Sequence, residues 1–233
     1  MIRWDYVLGV LSILVAIPNL LAPWFSGPPA LAMAGAIAAL ACVAAAIVVQ
    51  RFLNIPAISI DSQTTSITFD TDRALAQMVK RYEFRVRRKG LDHWVHRNIS
   101  SEGQICDFRW NGAPVPAGDI LTRSGSFQVT VRNPYVWPLG RKIEGELSYV
   151  LKDSFPGAVE YLQYVSDMPT KIALLRVQFP PNQHCTDAYV QQRRNGVVET
   201  VDNGLKRDPC GRWLEVEVRK PKGGHEYTVY WHW

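Results

Sequence analysis

The hydrophobic positions follow two different patterns along the chain, and the first is continuous. Two apolar runs, Tyr6–Phe25 and Pro28–Val49, contain no Asp, Glu, Lys or Arg. Each run has about twenty residues, and a helix of that length matches a hydrocarbon core of roughly 30 Å. Ser26-Gly27 between the runs fits a tight turn. The pattern therefore predicts a hairpin of two transmembrane helices over residues 1–51.

The charges at the ends of this hairpin predict its orientation. Arg3 precedes the first run, Arg51 follows the second, and the turn between them has no charge. By the positive-inside rule, both termini then face the cytoplasm. We therefore predict a multi-pass membrane protein with the rest of the chain in the cytoplasm. The small residues of the second run, such as Ala32–Ala36, allow close helix approach, which fits either packing within the hairpin or homo-oligomerisation through these helices.

From residue 52 onward the pattern changes to the period-two alternation of β-strands. It is clearest where Tyr82, Phe84 and Val86 alternate with Glu83 and Arg85. A brief helical turn is predicted over Asp72–Met78. The predicted strands are Ala57–Asp61, Ser66–Asp70, Tyr82–Arg87, His93–Asn98, Gln104–Trp110, Ser126–Arg132, Lys142–Leu151, Ala158–Tyr164, Lys171–Phe179, Asp187–Arg194, Val197–Asp202, Trp213–Arg219 and Glu226–Trp233.

Turn residues separate these strands at the spacing typical of sandwiches and barrels. Asn111-Gly112 and Asn195-Gly196 are the dipeptides that favour two-residue hairpins. The predicted fold class is therefore a membrane α-helical hairpin followed by an all-β, sandwich or barrel-like domain over residues 52–233. A seam is possible near residue 169, so one sandwich and two small sandwiches both fit the strand count.

Charge and cysteine content add little to this picture. The formal net charge is +5, a mild excess that suits an anionic ligand or a lipid surface without requiring either. Cys42 lies in the second apolar run, and Cys106, Cys185 and Cys210 are widely spaced without a CxxC motif. This set predicts neither a zinc site nor a disulfide framework, and reduced thiols fit a cytoplasmic domain.

No catalytic motif is present in the sequence. It has no Gly-x-Ser-x-Gly, Walker loop, His-Glu-x-x-His or dinucleotide fingerprint. His93 and His96 are three residues apart, which on a strand places them on opposite faces and makes joint metal ligation poor. We therefore predict that the chain is not an enzyme, and we predict no catalytic residues, metal site or cofactor.

The basic run Lys80–Lys89 is the strongest charged feature. On a strand, Arg85 and Arg87 project from the same face, and Arg88 follows in the turn. Two guanidinium groups in that arrangement can bind a phosphate diester through their planar donors. The alternatives are a solvated edge strand, protected from pairing by its charges, or contact with anionic lipid headgroups.

Two tryptophans are candidates for stacking on a nucleotide base beside this basic strand. Trp94 and Trp110 follow the basic run, although large rings in a small sandwich are also its usual core residues. A base stacked on an aromatic side chain contributes roughly 1–3 kcal/mol. The predicted ligand-binding residues are Arg85, Arg87, Arg88, Trp94 and Trp110.

The layout of two N-terminal spans, a minimal turn and an all-β domain resembles the two-transmembrane, β-rich effectors of bacterial cyclic-oligonucleotide anti-phage defence. The closing segments Val177–Pro181, Trp213–Val216 and Tyr227–Trp231 also resemble a β domain of bacterial conflict proteins. The resemblance implies that the protein lies in the bacterial inner membrane, and that its β domain binds a cyclic oligonucleotide and controls membrane disruption. It implies the lipid bilayer, a cyclic oligonucleotide and further copies of the chain as partners, and no DNA or RNA polymer.

A second function remains open at this point. A membrane-tethered β-sandwich could recruit a protein partner by edge pairing or through an exposed aromatic patch, without a nucleotide ligand. Charge reversal at Arg85 and Arg87 would separate the two functions, because only the nucleotide receptor needs these cations.

Overall fold

The structure, a computed structural model, describes residues 40–45, 56–71, 73–123, 125–201 and 204–233. The chain divides into two compact units, Met1–Ile55 and Pro56–Trp233. In the first unit, the described residues 40–45 are helical. The second unit consists of β-strands and a 3-10 turn at Ala117–Asp119.

The strands of the second unit are numbered in chain order. They are β1 Ile58–Phe69, β2 Leu75–Val86, β3 His93–Ile99, β4 Gln104–Trp110, β5 Ala113–Pro114, β6 Ile120–Arg123, β7 Ser126–Arg132, β8 Lys142–Lys152, β9 Val159–Val165, β10 Thr170–Gln178, β11 Asp187–Arg194, β12 Val197–Thr200, β13 Lys206–Arg207, β14 Trp213–Arg219 and β15 Glu226–His232.

Eight of these strands form one large sheet in the order β13-β14-β10-β1-β2-β8-β4-β5. β1 and β10 are parallel, and the other neighbours in this sheet are antiparallel. Side chains alternate between the two faces, as a pleated strand requires. On β2, Met78, Tyr82 and Phe84 are buried on the inner face, whereas Arg81 and Glu83 lie on the outer face.

Two smaller sheets cover the inner face of the large sheet. One has the order β12-β11-β15-β9, and the other has the order β3-β7-β6. Trp94 of β3 contacts Phe84 of β2 with ring centroids 5.1 Å apart, and Trp231 of β15 contacts Phe69 of β1 at 6.4 Å. The interior is one continuous hydrophobic core between the layers. The unit is therefore a two-layer β-sandwich whose second layer is divided into two sheets.

The predicted two-residue hairpin turns have the backbone conformation that their sequence favours. Asn195 and Gly196 join β11 to β12 with φ of 48° and 82°, and Asn111 and Gly112 join β4 to β5 with φ of 51° and 81°. Two successive positive φ values define the type I′ turn, which asparagine and glycine adopt most readily.

The structure corrects the predicted fold class. Among the described residues, no helix combines the length and the apolar character needed to cross a bilayer. Of the two predicted spans, 6–25 and 28–49, the structure describes only residues 40–45, which are helical, and the rest lies outside the described residues. The prediction of a membrane hairpin is therefore withdrawn, and with it the multi-pass inner-membrane localisation that depended on it.

Candidate functional site

The candidate site is built around Lys80 on the inner face of the large sheet. The alternation of β2 places Lys80 on the same face as its buried neighbours Met78 and Tyr82. In the register of the sheet, Lys80 stands between Thr65 of β1 and Leu147 of β8, both buried. The fold therefore directs an amine into the space between the two layers.

Two adjoining cavities lie between the layers at this point. The larger, about 270 Å³, has a floor that includes Met78, Lys80, Tyr149 and Leu151 of the large sheet. Its walls are residues 98–102, from the end of β3 and the loop after it, and residues 160–163 of β9. The smaller, about 120 Å³, is lined by residues 94–98 on one side and by residues 163–165, 167 and 168 on the other.

Lys80 belongs to both cavities, together with Asn98 and Gln163. Its Nζ lies 5.9 Å from the centre of the Tyr149 ring, within the range of a cation–π contact. Among the described residues, the lysines that form ion pairs are Lys142, Lys171 and Lys206, and Lys80 forms none. The ammonium group is thus held in a cleft without a bonded counter-charge from the described part of the chain.

The surroundings of Lys80 disfavour its charged form. Desolvation lowers the pKa of Lys80 from 10.5 to about 8, and the more distant charge of Asp167 opposes this shift. An amine with a pKa near 8 is still mostly protonated at neutral pH. Lys80 is therefore a cation at pH 7, but one that a modest rise in pH discharges.

A neutral histidine lies beside this cation. His96 is buried, and its Nδ1 lies 3.3 Å from Tyr82 Oη, within hydrogen-bond distance. Burial, and then the charge of Lys80, lowers the pKa of His96 to about 3, while burial raises the pKa of Tyr82. The other ring nitrogen, Nε2, is buried without a hydrogen-bond partner among the described residues. His96 therefore brings an unsatisfied polar atom to the smaller cavity, which it lines.

Three acidic side chains line the two cavities, and none of them forms an ion pair with Lys80. Glu160 is buried at the wall of the larger cavity, where its Oε1 accepts a hydrogen bond from the Gly157 N–H. Burial raises the pKa of Glu160, and the charge of Arg73 opposes the shift. Glu102 lines the same wall, and Asp167 lines the smaller cavity. The site is thus polar and mixed in charge, with its cation on the floor and its carboxylates on the walls.

The predicted basic site residues lie on the opposite face of the large sheet. Arg85 is paired with Asp61, with its Nε 2.9 Å from Oδ2. Arg87 Nε donates a hydrogen bond to Ser59 Oγ at 2.9 Å. Arg88 follows in the exposed loop after β2 and has a further interaction of its own. The structure therefore brings Arg85 and Arg87 to one strand end, where protein groups already satisfy them.

The two predicted stacking residues lie inside the sandwich, away from these arginines. Trp94 is buried, with its ring centroid 4.5 Å from that of Tyr82 and 4.2 Å from that of His96. Trp110 is half-buried and covers Gly145 of β8. Because β2 separates Arg85 on its outer face from Trp94 under its inner face, these residues do not form one pocket.

A larger concavity, about 460 Å³, lies on the outer face of the large sheet. Its lining includes Arg81, Glu83 and Glu146. Arg81 is already paired with Glu146 at 2.7 Å, and Glu83 is paired with Lys142 at 2.9 Å. Such exposed pairs are typical of a solvated sheet face, so we place the functional site at Lys80 rather than here.

The signal for Lys80 was present in the sequence. Tyr82, Phe84 and Val86 mark one face of a strand, and extending the same alternation backwards assigns Lys80 to that apolar face. A lysine at an inward position of a strand is unusual enough to mark a candidate site. We find no metal site to add to it, because the described residues contain no group of three His, Cys, Asp or Glu side chains that could hold an ion.

Comparison with known proteins gives only distant structural similarity. No family model and no curated protein matches the sequence. An M1 zinc metallopeptidase from Deinococcus radiodurans matches 74% of this chain and 42% of its own length, with 12% identity and a TM-score of 0.41. Yeast LTA4 hydrolase matches 76% of this chain and 29% of its own length, with 8% identity and a TM-score of 0.45. This chain therefore spans less than half of either protein, and we do not assign their activities to it.

These findings correct the predicted function. The predicted effector requires two membrane spans, and no described helix could span a membrane. The membrane effector, its tethered-scaffold alternative and the antiviral role are therefore withdrawn. The prediction that the chain is not an enzyme is withdrawn as well, and the similarity to these enzymes assigns no activity to this chain. The absence of a DNA or RNA polymer partner stays a prediction.

Proposed function

We propose that the β-sandwich is a binding domain that takes a carboxylate-bearing ligand between its two layers, with the carboxylate on Lys80. The observation that carries this proposal is the position of the amine. Lys80 Nζ lies on the floor of a cavity of about 270 Å³ and forms no ion pair with a described residue.

The physical argument rests on the cost of an unpaired charge away from bulk water. A buried ammonium group is normally paired or hydrogen-bonded, because desolvation without compensation costs several kcal/mol. Here burial lowers the pKa of Lys80 to about 8, and the charge of Asp167 offsets only part of the effect. A ligand carboxylate would restore a counter-charge, and charge-assisted hydrogen bonds of this kind contribute about 1.5–3 kcal/mol.

The other residues that line the larger cavity determine which chemical groups the ligand can carry beside its carboxylate. Ile67, Met78 and Leu151 surround the amine with apolar surface, and the walls supply polar groups from Asn98 and Gln163. Ligand pockets commonly combine an apolar lining with a few placed polar groups. We therefore expect the ligand to carry its carboxylate on an aliphatic stem rather than as a free, fully hydrated ion.

The test is calorimetric titration of the full chain with butyrate, using butyramide as the neutral control of the same shape. We expect butyrate to bind and butyramide to bind at least about tenfold more weakly, since the charge contributes about 1.5–3 kcal/mol. Butyrate binding should also weaken as the pH rises above about 8, because Lys80 loses its proton there.

The matched variants are Lys80→Met and Lys89→Met. Lys89 is an exposed lysine in the loop after β2, so its loss controls for the general effect of removing a positive charge. The proposal requires Lys80→Met to abolish butyrate binding and Lys89→Met to leave it unchanged. Absence of binding to the parent chain, or equal binding by both variants, would refute it.

A further inference from the structure

We infer that the ligand of this site is an extended peptide segment, which adds as a strand between β3 and β9 and places an acidic side chain on Lys80. This inference rests on the proposed function, because it assigns the carboxylate to a peptide. The observation behind it is that two sheet edges open onto the same pair of cavities.

Both edges are unpaired within the described part of the chain. β3 pairs with β7, and β9 pairs with β15, and the other side of each strand has no neighbouring strand. An unpaired edge presents a row of N–H and C=O groups that can bind an extended chain. β9 lacks several of the usual protections, since Val159–Val165 contains no proline, no lysine and no bulge in its pairing with β15, and its one charged residue is the buried Glu160.

The two edges run in opposite directions along the cavities. On the β3 side the lining passes from residues 94–98 in the smaller cavity to residues 98–102 in the larger. On the β9 side it passes from residues 160–163 in the larger cavity to residues 163–165 in the smaller. A chain laid between them would be antiparallel to one edge and parallel to the other.

One added strand would also complete the second layer. It would join the three-stranded and four-stranded sheets into a layer of eight strands, the same number as in the large sheet beneath. β3 is irregular where the two cavities meet, with a register shift between His96 and Ile99 and a φ of 56° at Asn98. Since bulges disrupt pairing locally, the added strand should pair mainly with β9.

The floor of the groove defines the sequence that fits. Inward side chains of the added strand would meet Lys80 at the centre and the apolar side chains of Ile67, Met78 and Leu151 beside it. Glu102 and Glu160 on the wall of the larger cavity would repel further acidic residues there. The expected ligand therefore alternates outward polar residues with inward residues, of which one is acidic and its neighbours are apolar.

The test uses the full chain and the acetylated, amidated peptide Thr-Val-Thr-Glu-Thr-Val-Thr, with Gln in place of Glu as the matched control. We expect the Glu peptide to bind at least about tenfold more tightly than the Gln peptide. Hydrogen exchange should slow at amides of β9 when the peptide binds. N-methylation at alternate residues blocks one edge of the peptide at a time, and at least one of the two methylated sets should lose binding.

The outcomes separate this inference from the proposed function. If butyrate binds through Lys80 but the Glu peptide neither binds nor protects β9, the strand addition is wrong and the carboxylate site stands. If neither butyrate nor the peptide binds, both are wrong. Equal affinity of the Glu and Gln peptides, or insensitivity to both methylation patterns, would also overturn the inference.

Discussion

Replacing Lys80 with methionine should stabilise the unliganded protein. Lys80 lies among inward side chains, between Met78 and Tyr82 along β2 and between Thr65 and Leu147 across the sheet. Methionine has an unbranched stem that fills irregular space in a core without requiring a hydrogen-bond partner. The substitution therefore keeps most of the packing and removes the desolvated charge.

The magnitude follows from the pKa of the amine. Burial lowers the pKa of Lys80 from 10.5 to about 8, a change of about 2.5 units, and each unit corresponds to about 1.4 kcal/mol. The protonated amine therefore opposes folding by at most about 3.5 kcal/mol. Because the Lys80 side chain is only half-buried, solvent screening makes the actual energetic cost smaller than this limit. We expect Lys80→Met to raise the free energy of unfolding by about 1–3 kcal/mol at pH 7.

The stability difference between the parent chain and Lys80→Met should change with pH in a definite direction. Between pH 8 and 10.5 the unfolded chain binds the Lys80 proton more tightly than the folded chain does. The stability contribution of Lys80 therefore improves as the pH rises through this window, and the full penalty applies below pH 8. The advantage of Lys80→Met should shrink steadily from pH 8 to pH 10.

The assay is urea unfolding of the full chain, followed by tryptophan fluorescence at pH 7 and at pH 10, with Lys89→Met as the control. Lys89 is exposed, so its substitution should change stability by less than about 0.5 kcal/mol. The reasoning fails if Lys80→Met destabilises the protein at pH 7, or if its advantage is the same at both pH values. Either result would mean that the amine is not desolvated in the folded chain.

Two further substitutions test the packing and the buried histidine. Gly145→Ala should destabilise the sandwich by about 1–3 kcal/mol, because the added Cβ would lie 2.3 Å from Cη2 of Trp110; unchanged urea unfolding would show that Trp110 moves aside freely. His96→Gln should reduce the loss of stability between pH 6.5 and pH 4. In this range the unfolded chain binds a proton at His96 and the folded chain does not, because the pKa of His96 in the fold is about 3. This difference lowers the free energy of unfolding by on the order of 1 kcal/mol per pH unit as the pH falls. Parallel stability curves for the parent and His96→Gln over that range would contradict the buried, neutral state of the ring.

The strands that the sequence predicted best are bounded by turn residues, and most of them alternate regularly, although Gln104–Trp110 has a register shift after Cys106. Gln104–Trp110, Ser126–Arg132, Asp187–Arg194 and Trp213–Arg219 have the same limits in the sequence and in the structure. Each of them combines inward apolar residues with local boundary signals. Local physics is sufficient for such strands, because the pattern and the turn chemistry indicate the same element.

The largest errors in strand assignment come from polar inward positions. β1 is continuous from Ile58 to Phe69, whereas the sequence indicated two strands separated by the polar segment 62–65. Thr65 is an inward residue of that segment, and it stands opposite Lys80 beside the cavity. The helical turn predicted over Asp72–Met78 is wrong for a related reason: β2 begins at Leu75, extended by its pairing with β8. Non-local pairing overrides weak local preference in both cases.

The predicted site residues lie apart in the fold, because the two faces of a charged strand have different surroundings. Alternation divides the cations of β2 into an outer set, which includes Arg81 and Arg85, and one inner cation, Lys80. The outer cations have partners on adjacent strands, Glu146 for Arg81 and Asp61 for Arg85. Those pairings arise from sheet register between distant parts of the chain, which no local pattern contains.

The contrast between these cations is also the reason for regarding Lys80 as functional. Folding alone does not favour an amine at this position, because an apolar side chain of similar length would fill the space without the desolvation cost. Arg81 and Arg85 are each matched by a carboxylate across the sheet, so their charges are compensated within the fold. Lys80 instead faces a cavity between two unpaired strand edges, with the unsatisfied Nε2 of His96 beside it. A peptide ligand would supply a carboxylate to the Lys80 amine and backbone hydrogen bonds to an open strand edge. The need for both groups at one place distinguishes this site from an ordinary gap in packing.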